Sequence, residues 1–152
     1  AGRVDEDQIA AELTRDNTIS GQEHAARART VRPSEDAKAQ AWRDAIERDD
    51  VPNETQRQIA IAFPVPDQAE LLAPYLERYL EVADTIWEEK GTQRASTALE
   101  CMFPMPLVSP EAAQRIEQWL ESSSANPAAK RYVREGLSDM TRALAAQARD
   151  AE

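Results

Sequence analysis

Helix-start signals recur along this chain at intervals of about fifteen to twenty residues, and that spacing constrains the fold more than any other feature. Asp5 can cap a helix through Arg15, with Ile9, Ala10 and Leu13 facing inward. Ser20 and Glu23 have capping-box spacing and open a second helix to Val31. Ser34 caps a third, whose apolar residues are Ala37, Ala41, Trp42, Ala45 and Ile46. Asn53 and Gln56 again have box-like spacing and start a helix that ends before Pro64. Asp67 opens a long segment that closes at Gly91, a C-cap candidate. Thr92 to Met102 form the next helix. Ser109-Pro110-Glu111 joins a cap, a proline at the first helical position and an acid near the positive helix end. Asn126-Pro127 starts the last helix, which runs to Arg149.

The residues between these signals agree. Only 4 glycines are present, while Ala, Glu, Arg, Leu and Gln, the strong helix formers, are abundant. Runs of β-branched and aromatic residues are absent, so the expected class is all-α. Eight helices with short connectors make four consecutive antiparallel pairs. Such pairs can stack into an α-solenoid or close into a bundle, and no repeated sequence signature selects between them. The 152 residues suit one domain.

One segment tests this reading. In "AELLAPYLERYLEVADTIWEEKG", residues 69–91, a proline interrupts strong helix formers. Leu72, Tyr75, Leu76, Tyr79, Leu80, Ala83, Ile86 and Trp87 nevertheless stay on one stripe at spacings of three and four. A single kinked core helix is expected, with Arg78 beside the stripe and in reach of a carboxylate.

The net charge is −10, unevenly spread: residues 66–121 carry 11 acids and 4 bases, residues 122–152 carry 4 and 5. An acidic surface repels phosphate, which argues against nucleic acid and membranes as partners. One cysteine, Cys101, excludes an internal disulfide and fits a reducing, cytoplasmic setting. No leader pattern or membrane-length apolar run is present, and the opening "AGRV" suits a piece of a longer protein.

Chemistry-bearing sets are missing. His24 is the lone histidine, and with Cys101 it cannot supply the three or four ligands of a zinc site. Cys101 has no placed base and reads as a small hydrophobe. Phosphate-loop, dinucleotide and nucleophile-elbow motifs are absent. The adjacent pairs Asp49-Asp50 and Glu88-Glu89 diverge on a helix by about 100° and read as solvated charge. Trp42, Trp87 and Trp119 each read as packing between helices.

Several ordered blocks carry a resemblance. "LLAPYLERYLEVADTIW", "PSEDAKAQAWRDAI" followed by Asn53, "MFPMPLVSPE" and "KRYVREGLSDMTRALAAQARDA" together resemble the C-terminal helical domain of the aminopeptidase N family of zinc metalloaminopeptidases, in its actinobacterial-type branch. The likeness spans the chain beyond about residue 20. Departures are small: Pro64 stands where a second aromatic is frequent, Leu80 where phenylalanine is common, and Lys130 replaces an arginine. The resemblance implies a single domain over residues 1–152, the C-terminal part of a longer enzyme, folded as a bowl-like α-α superhelix closing over the catalytic domain. In that family the zinc lies in a separate catalytic domain with H-E-x-x-H and G-x-M-E-N strings. Neither occurs here, so the resemblance assigns this chain no catalytic residue, no metal ligand and no cofactor. Its implied partners are the catalytic domain of the same polypeptide and peptide substrates. Without the resemblance, a free-standing all-α binding or regulatory module fits the bare helix pairs equally well.

The last helix supplies the candidate site. On a helical wheel Arg131, Arg142 and Arg149 cluster near Ser138, with Arg134 on the flank, opposite an apolar stripe of Val133, Leu137, Met140 and Leu144. This face is either solvated, partly balanced by Glu135, or turned to the peptide chamber. In the second case Arg131, Arg134 and Arg142 would bind a peptide carboxylate. For the chain by itself, metal analysis is expected to find no stoichiometric zinc; about one zinc per chain would overturn the reading of its ligands.

Overall fold

A computed structural model describes residues 4–150. Its helices are α1 (Glu6–Arg15), α2 (Ile19–Thr30), α3 (Glu35–Trp42), α4 (Asn53–Ala62), α5 (Ala69–Leu72), α6 (Tyr75–Cys101), α7 (Pro110–Ser122) and α8 (Pro127–Asp150). A π-helical turn, Arg43–Glu47, extends α3, and a 3-10 turn, Met105–Leu107, precedes α7. No strand occurs among the described residues, so the all-α class holds.

Several starts follow the local signals. Asp5 makes a full capping box with Gln8, and Ser34 and Ser109 accept hydrogen bonds from the amides of Ala37 and Ala112. Others do not. The cap of α2 is Thr18, not Ser20, and its hydroxyl accepts from the Gly21 amide at 3.0 Å. The turn after α1 is so tight that a Cβ on Gly21 would lie 1.9 Å from the Asp16 carbonyl oxygen, which fixes the start two residues early. Asn53 and Gln56 form no box. Pro52 precedes α4, and both side chains reach across to the next helix pair. Gln68, rather than Asp67, precedes α5. In α1 Ile9 is buried, while Ala10 faces solvent.

The segment around Pro74 is not one helix. Lacking an amide hydrogen, Pro74 ends the hydrogen-bond ladder after the short α5 and stands at the head of α6. Ala73 (φ −49°, ψ −43°) and Pro74 (φ −66°, ψ −15°) keep right-handed helical dihedrals, so the stripe stays in phase. Leu72, Tyr75, Tyr79, Leu80, Ala83 and Ile86 are all buried. Arg78 lies over the Tyr75 ring at 5.0 Å instead of on a carboxylate.

Gly91 divides α6. Its φ of 75° and ψ of 168° belong to a region that glycine alone occupies comfortably. The Tyr79 hydroxyl donates to the Leu99 carbonyl at 2.6 Å, whereas a straight helix would hold residues 79 and 99 about 30 Å apart. Gly91 is thus the turn of a helical hairpin, and residues 75–90 and 92–101 are its arms. The pairs then follow one another in order: α1 against α2, α2 against α4, α4 against α6, α6 against α8, and α7 against α8. One continuous core runs from Ala41 to Met140. It includes an aromatic cluster in which Tyr75 lies 5.2 Å from Trp42 and 5.0 Å from Phe63. At the α6–α8 junction Gly136 admits the Phe103 ring, which a Cβ would meet at 2.3 Å.

Helix ends are closed by cations from elsewhere in the chain. Gly91 is the only positive-φ residue among those described, so no other helix here ends on a left-handed glycine cap. All three lysines donate to main-chain carbonyls instead. Lys38, 0% exposed, bonds Thr30 at the end of α2 (3.0 Å) and Phe63 at the end of α4 (3.1 Å). Lys90 bonds Glu47 at 2.9 Å, and Lys130 bonds Leu120 at 3.0 Å. Arg94 closes the loop after the π turn by donating to Val51 and Arg48. Each cation meets the negative end of a helix or its following turn.

Burial lowers the Lys38 pKa from 10.5 to about 8, a shift that the Asp67 carboxylate partly opposes. Between these two values the unfolded chain holds a proton that the folded chain has lost, so raising the pH favours folding. Urea unfolding of the wild type and Lys38→Met should therefore show the wild type gaining stability relative to the variant from about pH 8 to about pH 10.5. A constant difference would contradict a titrating, buried Lys38. The two glycines should behave alike for different reasons. Gly91→Ala is expected to lose about 1–3 kcal/mol to backbone strain. Gly136→Ala should lose about 1–3 kcal/mol to overpacking against Phe103, despite alanine's better helix propensity. Unchanged urea midpoints would refute both assignments.

Candidate functional site

The long α8 is held by its apolar stripe: Val133, Leu137 and Met140 are buried, and Leu144 packs partly against the core. Asn126 caps its start by accepting from the Ala128 amide at 2.9 Å. This register turns Arg131, Arg134 and Arg142 away from the core, and all three are exposed. Arg149 is exposed as well.

Their partners are local. Arg131 lies 3.8 Å from Glu135 and over the Tyr132 ring at 5.0 Å. Arg142 pairs with Asp139 and donates to Ser138 at 3.2 Å. Arg134 forms no ion pair among the described residues. Side chains that are 60% and 72% exposed, at Arg131 and Arg142, hold their acids through water-screened contacts of little strength. A carboxylate that excluded water could therefore compete for these guanidinium groups. Behind them, Tyr132 stacks obliquely on half-buried Trp87 at 6.2 Å, which gives the face an aromatic base.

A second arginine-rich surface escaped sequence reasoning. A groove of about 750 Å³ runs between α2, α3 and α4, with Arg29, Arg32, Arg43 and Arg48 in its walls. Arg29 and Arg32 converge on the Glu6 carboxylate at 2.8 and 3.1 Å. Arg48 holds Asp44 and Asp50, and its hydrogen bonds pull the Asp50 carboxyl below the usual range. Arg43 donates to Gln40 at 2.7 Å and has no ion pair among the described residues. These arginines lie on different elements far apart in sequence. Only the three-residue spacing of Arg29 and Arg32 hinted at a shared face.

The remaining candidates are structural. His24 is exposed on α2. Cys101 is half-buried, and desolvation, helped by Glu100, raises its thiol pKa, so the thiolate is disfavoured. Trp42 and Trp119 are core residues. Among the described residues no group of three or more His, Cys, Asp or Glu is placed to hold a metal ion. No helix among them is long and apolar enough to cross a membrane. What the molecule offers is shape and charge: a packed scaffold with two arginine-bearing surfaces.

The family model described as "ERAP1-like C-terminal domain" matches residues 1–142. The chain is also 42% identical over 150 residues to the Aminopeptidase N of Streptomyces lividans. That alignment takes in 99% of this chain and 18% of the relative, so the chain spans about a fifth of the length of the curated protein it matches.

Proposed function

We propose, because this chain belongs to the family of ERAP1-like C-terminal domains, that it is the non-catalytic helical domain of a zinc-dependent aminopeptidase. Residues 1–152 act as one unit, a bowl-like superhelix that closes over the catalytic domain of the same polypeptide and lines its peptide chamber. The parent removes N-terminal residues from peptides. Its zinc would belong to the catalytic domain and activate the attacking water there. A cytoplasmic location fits the single cysteine.

One observation carries this reading: the identity to an Aminopeptidase N runs through almost the whole chain yet covers only a small share of that protein. The helix pairs and their charge support it. A wall that shapes a chamber needs rigid elements and exposed polar groups and has no need of a nucleophile.

Within the proposal, the α8 face binds the carboxylate end of the peptide through Arg131, Arg134 or Arg142. Arginine suits this because its planar donors match a carboxylate with two parallel hydrogen bonds. The screened acids Glu135 and Asp139 hold the side chains until substrate arrives. Reversal of each arginine to Glu in the parent enzyme should lower kcat/KM for peptides with a free C-terminus and spare small aminoacyl-arylamides. The loss should be about 1.5–3 kcal/mol per contact if water is excluded, and a fraction of that if it is not. Equal effects on both substrates, or none, would return these arginines to ordinary surface charge.

A further inference from the structure

The groove between α2, α3 and α4 holds a carboxylate that belongs to the chain itself. Arg29 donates from Nε to Glu6 Oε1 at 2.8 Å, and Arg32 donates from Nη1 to Glu6 Oε2 at 3.1 Å. Both oxygens of one carboxylate are thus taken by arginines 23 and 26 residues away in sequence. A third guanidinium, that of Arg43, lines the same groove, is exposed and has no ion pair among the described residues. It stands at the start of the π turn that breaks the register of α3, and such turns are frequent at functional sites. Arg48, the fourth, is held by Asp44 and Asp50.

Glu6 is displaceable. Its side chain and those of Arg29 and Arg32 are a third to a half exposed, so water screens their pairs. Ile9 is the one buried residue of α1, so little else pins the start of that helix. With Glu6 gone, Arg29, Arg32 and Arg43 would face one acid of the groove that has no ion pair among the described residues, Asp36. A single external carboxylate gains nothing over Glu6: it brings the same two oxygens and lacks the tether, which supplies an effective concentration on the order of millimolar. A phosphoryl group differs. It carries about −1.5 to −2 charge at neutral pH and three acceptor oxygens, one for each of the three arginines. Beside them, buried Ala41, Val51 and Ile59 give the groove an apolar floor, and its volume of about 750 Å³ is that of a small-molecule site. The net charge of −10 opposes anions at long range, so recognition acts at contact distance.

We infer that this groove binds a small phosphorylated molecule, whose phosphoryl group replaces the Glu6 carboxylate on Arg29 and Arg32 and reaches Arg43 with its third oxygen. Binding releases the first turn of α1. Every residue of the site lies in this chain, so the site needs nothing from the catalytic domain of the parent.

Phenyl phosphate is the probe, titrated calorimetrically into the 152-residue chain at fixed ionic strength and at a pH where it is a dianion, with benzoate as the carboxylate of matching body. Phenyl phosphate should bind and benzoate should not. Glu6→Gln should tighten phenyl phosphate by about ten-fold, because it removes the internal competitor. Arg43→Gln should weaken it by about ten-fold or more. Arg43 holds no acid, so its loss should leave the fold intact, which circular dichroism and the urea midpoint check. In the wild type, saturation should speed hydrogen exchange across α1 several-fold. Equal binding of benzoate, or binding indifferent to Arg43, would overturn the site. A Glu6→Gln variant that binds no more tightly would overturn the exchange of occupants. Binding of a phosphoserine peptide where phenyl phosphate fails would overturn the small-molecule assignment. No binding by the wild type or by Glu6→Gln would reduce Glu6, Arg29 and Arg32 to an ordinary surface ion pair.

Discussion

The last carbonyls of a helix must find donors, and in this protein that requirement organises the stack. A glycine cap satisfies such carbonyls locally, but the chain has only four glycines, and among the described residues one, Gly91, lies in a positive-φ turn. The donors come from other helices instead. Lys38 ties the ends of α2 and α4 to α3, Lys90 and Arg94 tie the end of the π turn and the loop after it to the Gly91 hairpin, and Lys130 ties α7 to α8. Each contact closes a helix end and sets the distance between neighbouring helices at once. Apolar burial drives the association, while these bonds fix which turn meets which.

Glutamine and tyrosine extend the same scheme. Gln56 is 1% exposed and donates to both Ala45 and Arg94, and Gln68 donates to Val31 at the end of α2. Tyr79 serves Leu99, and its burial keeps the hydroxyl protonated far above the usual range. Two buried polar atoms, Gln68 Oε1 and Trp119 Nε1, have no protein partner among the described residues. The interior is therefore apolar in bulk and polar at chosen points, which is how stacked helices avoid sliding past one another.

These facts explain what the sequence could reveal. Asp5, Ser34 and Ser109 were legible because a cap is a contact within three residues. The face of α8 was legible because a wheel needs only the helical period. The buried role of Lys38 was not: its partners, Thr30 and Phe63, are carbonyls, and carbonyls carry no side-chain signature. Asn53 and Gln56 misled because their spacing matches a local box while their donors were drawn to a neighbouring pair. Gly136 gave no hint of Phe103, since close approach between distant segments leaves no local pattern. The groove of Arg29, Arg32, Arg43 and Arg48 was hidden for the same reason. Family membership was visible because it depends on ordered blocks rather than on any one contact.

The engagement of every lysine has a chemical consequence. Lys38 is wholly enclosed, the Lys90 side chain is 14% exposed, and Lys130 is half-buried. An acylating reagent needs an accessible, unprotonated amine, and the folded molecule offers it few side-chain amines despite carrying three. Lys38 would be especially revealing, because burial has already moved it toward the neutral, nucleophilic form and only enclosure withholds it. Once the ends of α2 and α4 part, that amine meets solvent. The pattern of acylated lysines would then report which helix end opened first, with no label added to the protein beforehand.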